Sequence, residues 1–87
     1  MAIEALFAVY GALANGDPNN AQAADVRDRL QQHFNDGATM LAISDVNFGD
    51  PAVGVRKHFA ATVNNNGRIS HYACQEGQMI NFETPSS

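Results

Sequence analysis

The chain is short of cysteine, tryptophan and charge. It has one Cys (Cys74) and no Trp, and charged residues make up 16% of its 87 positions. One cysteine excludes an internal disulfide and a cysteine-based zinc site, and it fits a reducing compartment. Five Lys and Arg against nine Asp and Glu leave a net charge of −4. A non-specific phosphate binder needs the opposite sign, so nucleic acid and anionic membrane surfaces are poor partners. The apolar run from Ile3 to Ala14 is too short to span a bilayer, so no membrane insertion is expected. It contains Glu4 and no Lys or Arg precedes it, which argues against a secretory signal. The expected location is cytoplasmic, with secretion by a non-standard route left open.

Apolar residues make up 45% of the chain, as in globular proteins. The length suits one small domain, residues 1–87, with 83–87 as a frayed tail. With so little charge, much of the surface is neutral and polar, and nine asparagines supply much of it.

Residues 2–10 read as a strand with apolar side chains in both phases, hence covered on both faces or on one face plus a partner. Residues 15–21, NGDPNNA, are a loop built on Asn-Gly and Asp-Pro. Val26, Leu30 and Phe34 fall on one face of a helix over 25–34, with Asp25 as its cap and Asn35-Asp36-Gly37 as its stop. Strands are expected over 38–44, 55–63, 68–75 and 78–82, and residues 45–54 form a loop. The turn at 64–67 closes a hairpin. The fold class is mainly β, all-β or α+β. The expected form is a small β-sandwich of about five to seven short strands with one short helix.

Several segments in this order resemble a known family: YGAL (Tyr10 to Leu13), Asp25-Val26 with Leu30, GDPAVGVRKHFAATV (Gly49 to Val63) and EGQMINF (Glu76 to Phe82). Together, over roughly residues 2–82, they resemble the domain of unknown function at the C-terminus of DnaJ homologue subfamily C member eleven. The resemblance implies a compact β-rich module with no known active site, here standing alone. In the chaperone that domain is attached to a J-domain protein associated with mitochondrial membranes. This chain has no J-domain and no His-Pro-Asp tripeptide, so co-chaperone activity does not carry over.

No residue pattern points to catalysis. His58 and His71 lie on the two arms of the hairpin. Folding about Asn65-Asn66 sets His58 opposite Ala73, with His71 on the diagonal at roughly 7 Å. A metal there needs a third ligand. Asp45, Asn47, Asp50 and Glu76 offer oxygens to calcium if their loops converge, but no glutamate closes a twelve-residue loop. The simpler role for Asp and Asn in such loops is to cap turns. Arg56, Lys57 and His58 suit an acidic partner or a solvated face; alternation sets Lys57 with Phe59 on the side opposite Arg56 and His58. Cys74 points away from His71, and a lone strand cysteine is usually a small buried hydrophobe. Ser44 and Ser70 lack a nucleophile elbow.

The expected function is a non-enzymatic binding module for a neutral polar ligand such as carbohydrate, in a lectin-like manner, or for a protein surface. No cofactor and no metal are expected. The ligand-binding candidates are Asn47, Phe48, Asp50, Arg56, His58, Asn65 and Tyr72. Burial of Phe48 under its loop is the plainer alternative for that ring. A structural domain that self-associates through the N-terminal apolar strand is the second reading, and thin stability at this size also favours a homo-oligomer.

Overall fold

The first strand, β1 (Ile3–Leu13), carries apolar residues in both phases because its pleat changes phase midway. Ala5 faces Val63 and Phe7 faces Thr62, so Leu6 is an extra residue in the pairing. One extra residue inverts the alternation. Ile3 and Ala5 point inward before the bulge; Ala8 and Tyr10 do so after it, and all four are buried. Phe7 is left 51% exposed on the opposite face.

The structure, a computed structural model, describes residues 3–86. After β1 come β2 (Ala21–Asp25), α1 (Arg27–Asn35), β3 (Met40–Ala42) and the single turn of α2 (Asp45–Phe48). Then follow β4 (His58–Asn65), β5 (Arg68–Gln75) and β6 (Met79–Asn81). The large sheet is antiparallel in the order β2-β1-β4-β5, and β3 pairs with β6 in a second, two-stranded sheet. The chain is thus mainly strand, in two sheets with two short helices. The sheets are unequal: β3–β6, α1 and α2 together form the layer over one face of the large sheet. Val26, Leu30, Leu41, Ile43, Phe48, Ile80 and Phe82 join the inner row of β1, Phe59, Ala61 and Val63 in one core. Burial of these apolar side chains is the main stabilising contribution.

Helix α1 follows its sequence signals. Asp25 Oδ1 accepts the Arg27 amide at 2.9 Å. At the other end Gly37 has φ 91°, its N–H donates to Phe34 O, and the Ala38 N–H donates to His33 O. That paired arrangement satisfies carbonyls the last turn would leave open. The helix also covers an edge. Where β2 stops, β1 between Ile3 and Ala5 would expose its backbone. Gln31 fills the gap, with Oε1 accepting the Ala5 amide at 2.8 Å and Nε2 donating to Ile3 O at 3.1 Å. Arg27 Nε donates to Ala5 O at 2.7 Å.

Four expectations need correction. Residues 21–25, of which Ala21 was assigned to the loop, Asp25 to the helix cap and 22–24 to no element, form β2; alanines are indifferent strand formers, and pairing with β1 decides the outcome. Ser44 caps α2 within the expected loop, its Oγ accepting the Asn47 amide at 3.4 Å. The 58–75 hairpin turns on Asn66-Gly67, whose φ values of 54° and 93° match the two-residue Asn-Gly turn. Moving the turn centre by one residue moves the pairing by two, so His58 faces Gln75 and His71 faces Thr62. The residues from Glu83 to Ser86 are docked rather than frayed. Tyr72 Oη donates to Thr84 O at 2.7 Å, and Ser86 Oγ accepts the His71 amide at 2.9 Å.

Gly11 sets how closely β2 approaches. A Cβ there would meet Gln22 O at 2.3 Å and Ala23 Cα at 2.4 Å. Only glycine permits that contact.

Candidate functional site

The loop before β4 is organised by Lys57, whose side chain is 2% exposed. Alternation from Phe59 sends it to the core side of the sheet. A buried ammonium needs partners, and three carboxylates supply them. Lys57 Nζ lies 2.9 Å from Asp50 Oδ1 and 3.5 Å from both Asp45 Oδ1 and Glu76 Oε1. It also donates to Val55 O at 2.7 Å. Each acid has a further donor from the chain. Tyr10 Oη donates to Asp45 Oδ1 at 2.7 Å, the Lys57 amide to Glu76 Oε1 at 2.9 Å, and the Ala52 amide to Asp50 Oδ1 at 3.3 Å.

This explains the protonation states. Burial pulls the Lys57 ammonium toward neutrality, but the Asp50 hydrogen bond and the charges of Asp45, Asp50 and Glu76 outweigh it and raise the pKa. Burial, then the Asp45 hydrogen bond and the nearby acidic charges, push the Tyr10 phenol well above its ordinary 10.0. Lys57 is therefore held as an ammonium, which is a poor nucleophile. The acids considered for calcium do converge, but on Lys57 Nζ. Among the described residues no group of three or more His, Cys, Asp or Glu is arranged to hold a metal ion.

The remaining candidates do not form one site. Phe48 is 3% exposed, its ring centroid 5.8 Å from that of Tyr10 and 5.2 Å from that of Phe59 in tilted contacts, so its ring is core rather than ligand contact. Asn47 Nδ2 donates to Ala42 O at 2.7 Å and fixes α2 to β3. Asp50 is the closest of the three carboxylates to Lys57 Nζ. Arg56 Nη1 donates to Gln75 Oε1 at 3.2 Å across the end of the hairpin. Tyr72 packs on Phe82 at 4.9 Å and clamps the closing segment. Asn65 sits at the far end of β4 from His58, roughly 23 Å away at the strand's rise. His58 and His71 share a face but stand four residues apart in register, roughly 13 Å along the strands rather than on a diagonal. Cys74 is half-buried against the core, and that burial raises its thiol pKa, while His71 points to the opposite face.

The second feature is the face of the large sheet that the inner layer leaves open. Val9, Gly11, Ala23, Ala60 and Ala73 pave its middle and line a groove of about 660 Å³. Leu13, 42% exposed, lines it too, and Phe7 and Ile69, 51% and 49% exposed, stand further along the same face. His58, Thr62, His71 and Gln75 add polar groups, and the acids Glu4 and Asp25 stand at the rim. Of the sequence candidates, only His58 lines this groove.

In sequence, Lys57 reads as part of a basic cluster facing a partner or solvent, and Tyr10 has no role in the site; the burial of Lys57 among three acids was missed. A signal was there: one lysine in phase with Phe59, and acids at Asp45, Asp50 and Glu76 in the adjoining turns.

No protein-family model, curated protein or solved structure matches the chain. No helix among the described residues is long and apolar enough to cross a membrane.

Proposed function

We propose that the chain is a non-enzymatic binding module that works through the open face of its large sheet, and that it takes the neutral, largely apolar surface of another protein. The observation carrying this is the composition of that face. Its floor is Val9, Gly11, Ala23, Ala60 and Ala73, Leu13 stands beside them, Phe7 and Ile69 extend the apolar surface further along the same face, and its acids are confined to the rim. An apolar centre within a polar rim, free of central charge, is how protein interfaces are built. The carbohydrate form of the reading has less support, because Asn47 and Asp50 are bonded within the chain and Asn65 lies far from both. The non-enzymatic part rests on Lys57 being held as an ammonium by acids that are themselves bonded.

The test is an amide NMR titration of the folded chain with an apolar surface probe, anilinonaphthalene sulfonate, and in parallel with neutral oligosaccharides. The expected result is that the apolar probe shifts the amides of Val9, Gly11, Ala60 and Ala73, and that Ala73→Glu abolishes the shifts. Oligosaccharide shifts confined to residues 47–56 would return the carbohydrate reading. A probe that leaves the face untouched would end this one.

A further inference from the structure

The chain covers parts of its other strand edges with its own side chains. Gln31 and Arg27 satisfy β1 before β2 begins. On β5 the outward amides of His71 and Gln75 donate to Ser86 Oγ and Gln78 Oε1. On β3 the Ala42 carbonyl accepts from Asn47. The outer edge of β2 is the longest run among the described residues without such cover. It reads AQAAD, with no Lys, no Pro and no bulge, the devices that normally blunt an edge.

Which groups face outward follows from the ladder. The Val26 amide donates to Ala8 O and the Ala14 amide to Asn20 O. In an antiparallel pair the bonding residues alternate, so Asn20, Gln22, Ala24 and Val26 turn their backbone toward β1. Ala21, Ala23 and Asp25 turn theirs away, and all three are exposed.

We propose that this edge is a docking surface for β2 of a second copy of the chain, in antiparallel register about a two-fold axis at Ala23. Ala23 then pairs with Ala23 of the second copy, and Ala21 with its Asp25. Each pair exchanges both N–H···O bonds, so every outward group of the strand is used. The register is self-complementary in charge as well. Asp25 faces an alanine methyl and not another carboxylate, which matters between chains that each carry −4. The methyls of Ala21 and Ala23 lie on the open face, so pairing joins the two apolar floors into one. Water solvates a free edge well, and a five-residue edge is small beside a stable dimer interface. The dimer is therefore reversible and concentration-dependent, and added salt strengthens it by screening the like net charges. It does not depend on the open face having a partner of its own.

Sedimentation velocity from low micromolar to near-millimolar chain, at low and moderate salt, tests this. A monomer–dimer equilibrium that tightens with salt is expected. Ala23→Pro deletes the central outward amide without touching the bonds to β1, and Ala23→Lys adds a standard edge blocker to an exposed site; both should return the chain to monomer. Hydrogen exchange on the unmodified chain supplies a readout independent of any variant. Ala21 and Ala23 amides should gain protection as concentration rises, while Gln22 and Ala24 stay protected throughout. A monomer under every condition overturns the proposal. So does a dimer that Ala73→Glu dissolves while Ala21 and Ala23 exchange at a constant rate, since that places the contact on the open face.

Discussion

Lys57 Nζ lies 2.9 Å from Asp50 Oδ1, and the lysine is 2% exposed while the Asp50 side chain is 34% exposed. The asymmetry predicts an order of costs. Lys57→Met leaves three carboxylates facing one another around a vacated position. Asp50→Asn leaves Lys57 with Asp45 and Glu76. Urea unfolding is expected to show a large loss for Lys57→Met and a clearly smaller one for Asp50→Asn. Equal losses would mean that Asp50 alone holds the lysine.

The same cluster fixes the alkaline limit. Tyr10 and Lys57 both have folded-state pKa values above their ordinary 10.0 and 10.5. In each case the folded chain holds its proton at a pH where the unfolded chain has released it. Stability from both groups is therefore fully present below pH 10 and falls as pH rises beyond their unfolded values. Thermal midpoints should be level from neutral pH to about 8, fall gently as the Cys74 thiol, also raised above its ordinary 9.0, begins to count, and drop more steeply beyond pH 10. Tyr10→Phe should start from a lower midpoint, because Asp45 loses its donor, and should show a shallower drop. A drop of unchanged steepness would show that Tyr10 takes no part in it.

Gly11→Ala tests the close approach of β2. The added methyl meets Gln22 O and Ala23 Cα, which are backbone atoms and cannot swing aside. We expect a loss of about 1–3 kcal/mol, with faster hydrogen exchange at Gln22 and Ala24 and little change in β4–β5. A variant as stable as the parent would mean that β2 relaxes freely.

Gln31→Leu keeps the size of a helix residue and removes both bonds to β1. The Ala5 amide and Ile3 carbonyl then lose their partners, at a cost of roughly 1–3 kcal/mol. Gln31→Glu keeps an acceptor for Ala5 but loses the donor to Ile3, so its Ala5 amide should exchange more slowly than that of Gln31→Leu. Identical exchange in the two variants would assign the effect to helix packing instead.

Part of this could be read from the chain alone. Val26, Leu30 and Phe34 form the buried side of α1, with Asp25 and Gly37 at its ends. Such signals are local: a 3.6-residue period, a capping carboxylate and a positive φ act within a few residues of each other. The hairpin was legible for the same reason. Its register was not, because Asn65-Asn66 and Asn66-Gly67 are both plausible turn centres in sequence, and only the second matches the paired positive φ values.

The large sheet's open face was half legible. Apolar residues in both phases of β1 do mark a strand with two oily sides. The bulge at Leu6 and the position of β1 inside the sheet change what that means. From Val9 to Leu13 β1 is already flanked by β2, and β4 runs along its other side, so self-association by pairing on this strand is closed there. The free edge passes to β2, a segment whose alanines announce nothing.

The sequence by itself determined the class, a small mainly-β chain with one amphipathic helix, because periodicity and turn chemistry are local. Only the tertiary structure decided that Lys57 is a buried cation held by Asp45, Asp50 and Glu76, and that Phe48 is core. It also decided which edge and which face are left open. Those outcomes depend on residues tens of positions apart meeting in space, and no local preference encodes such a meeting.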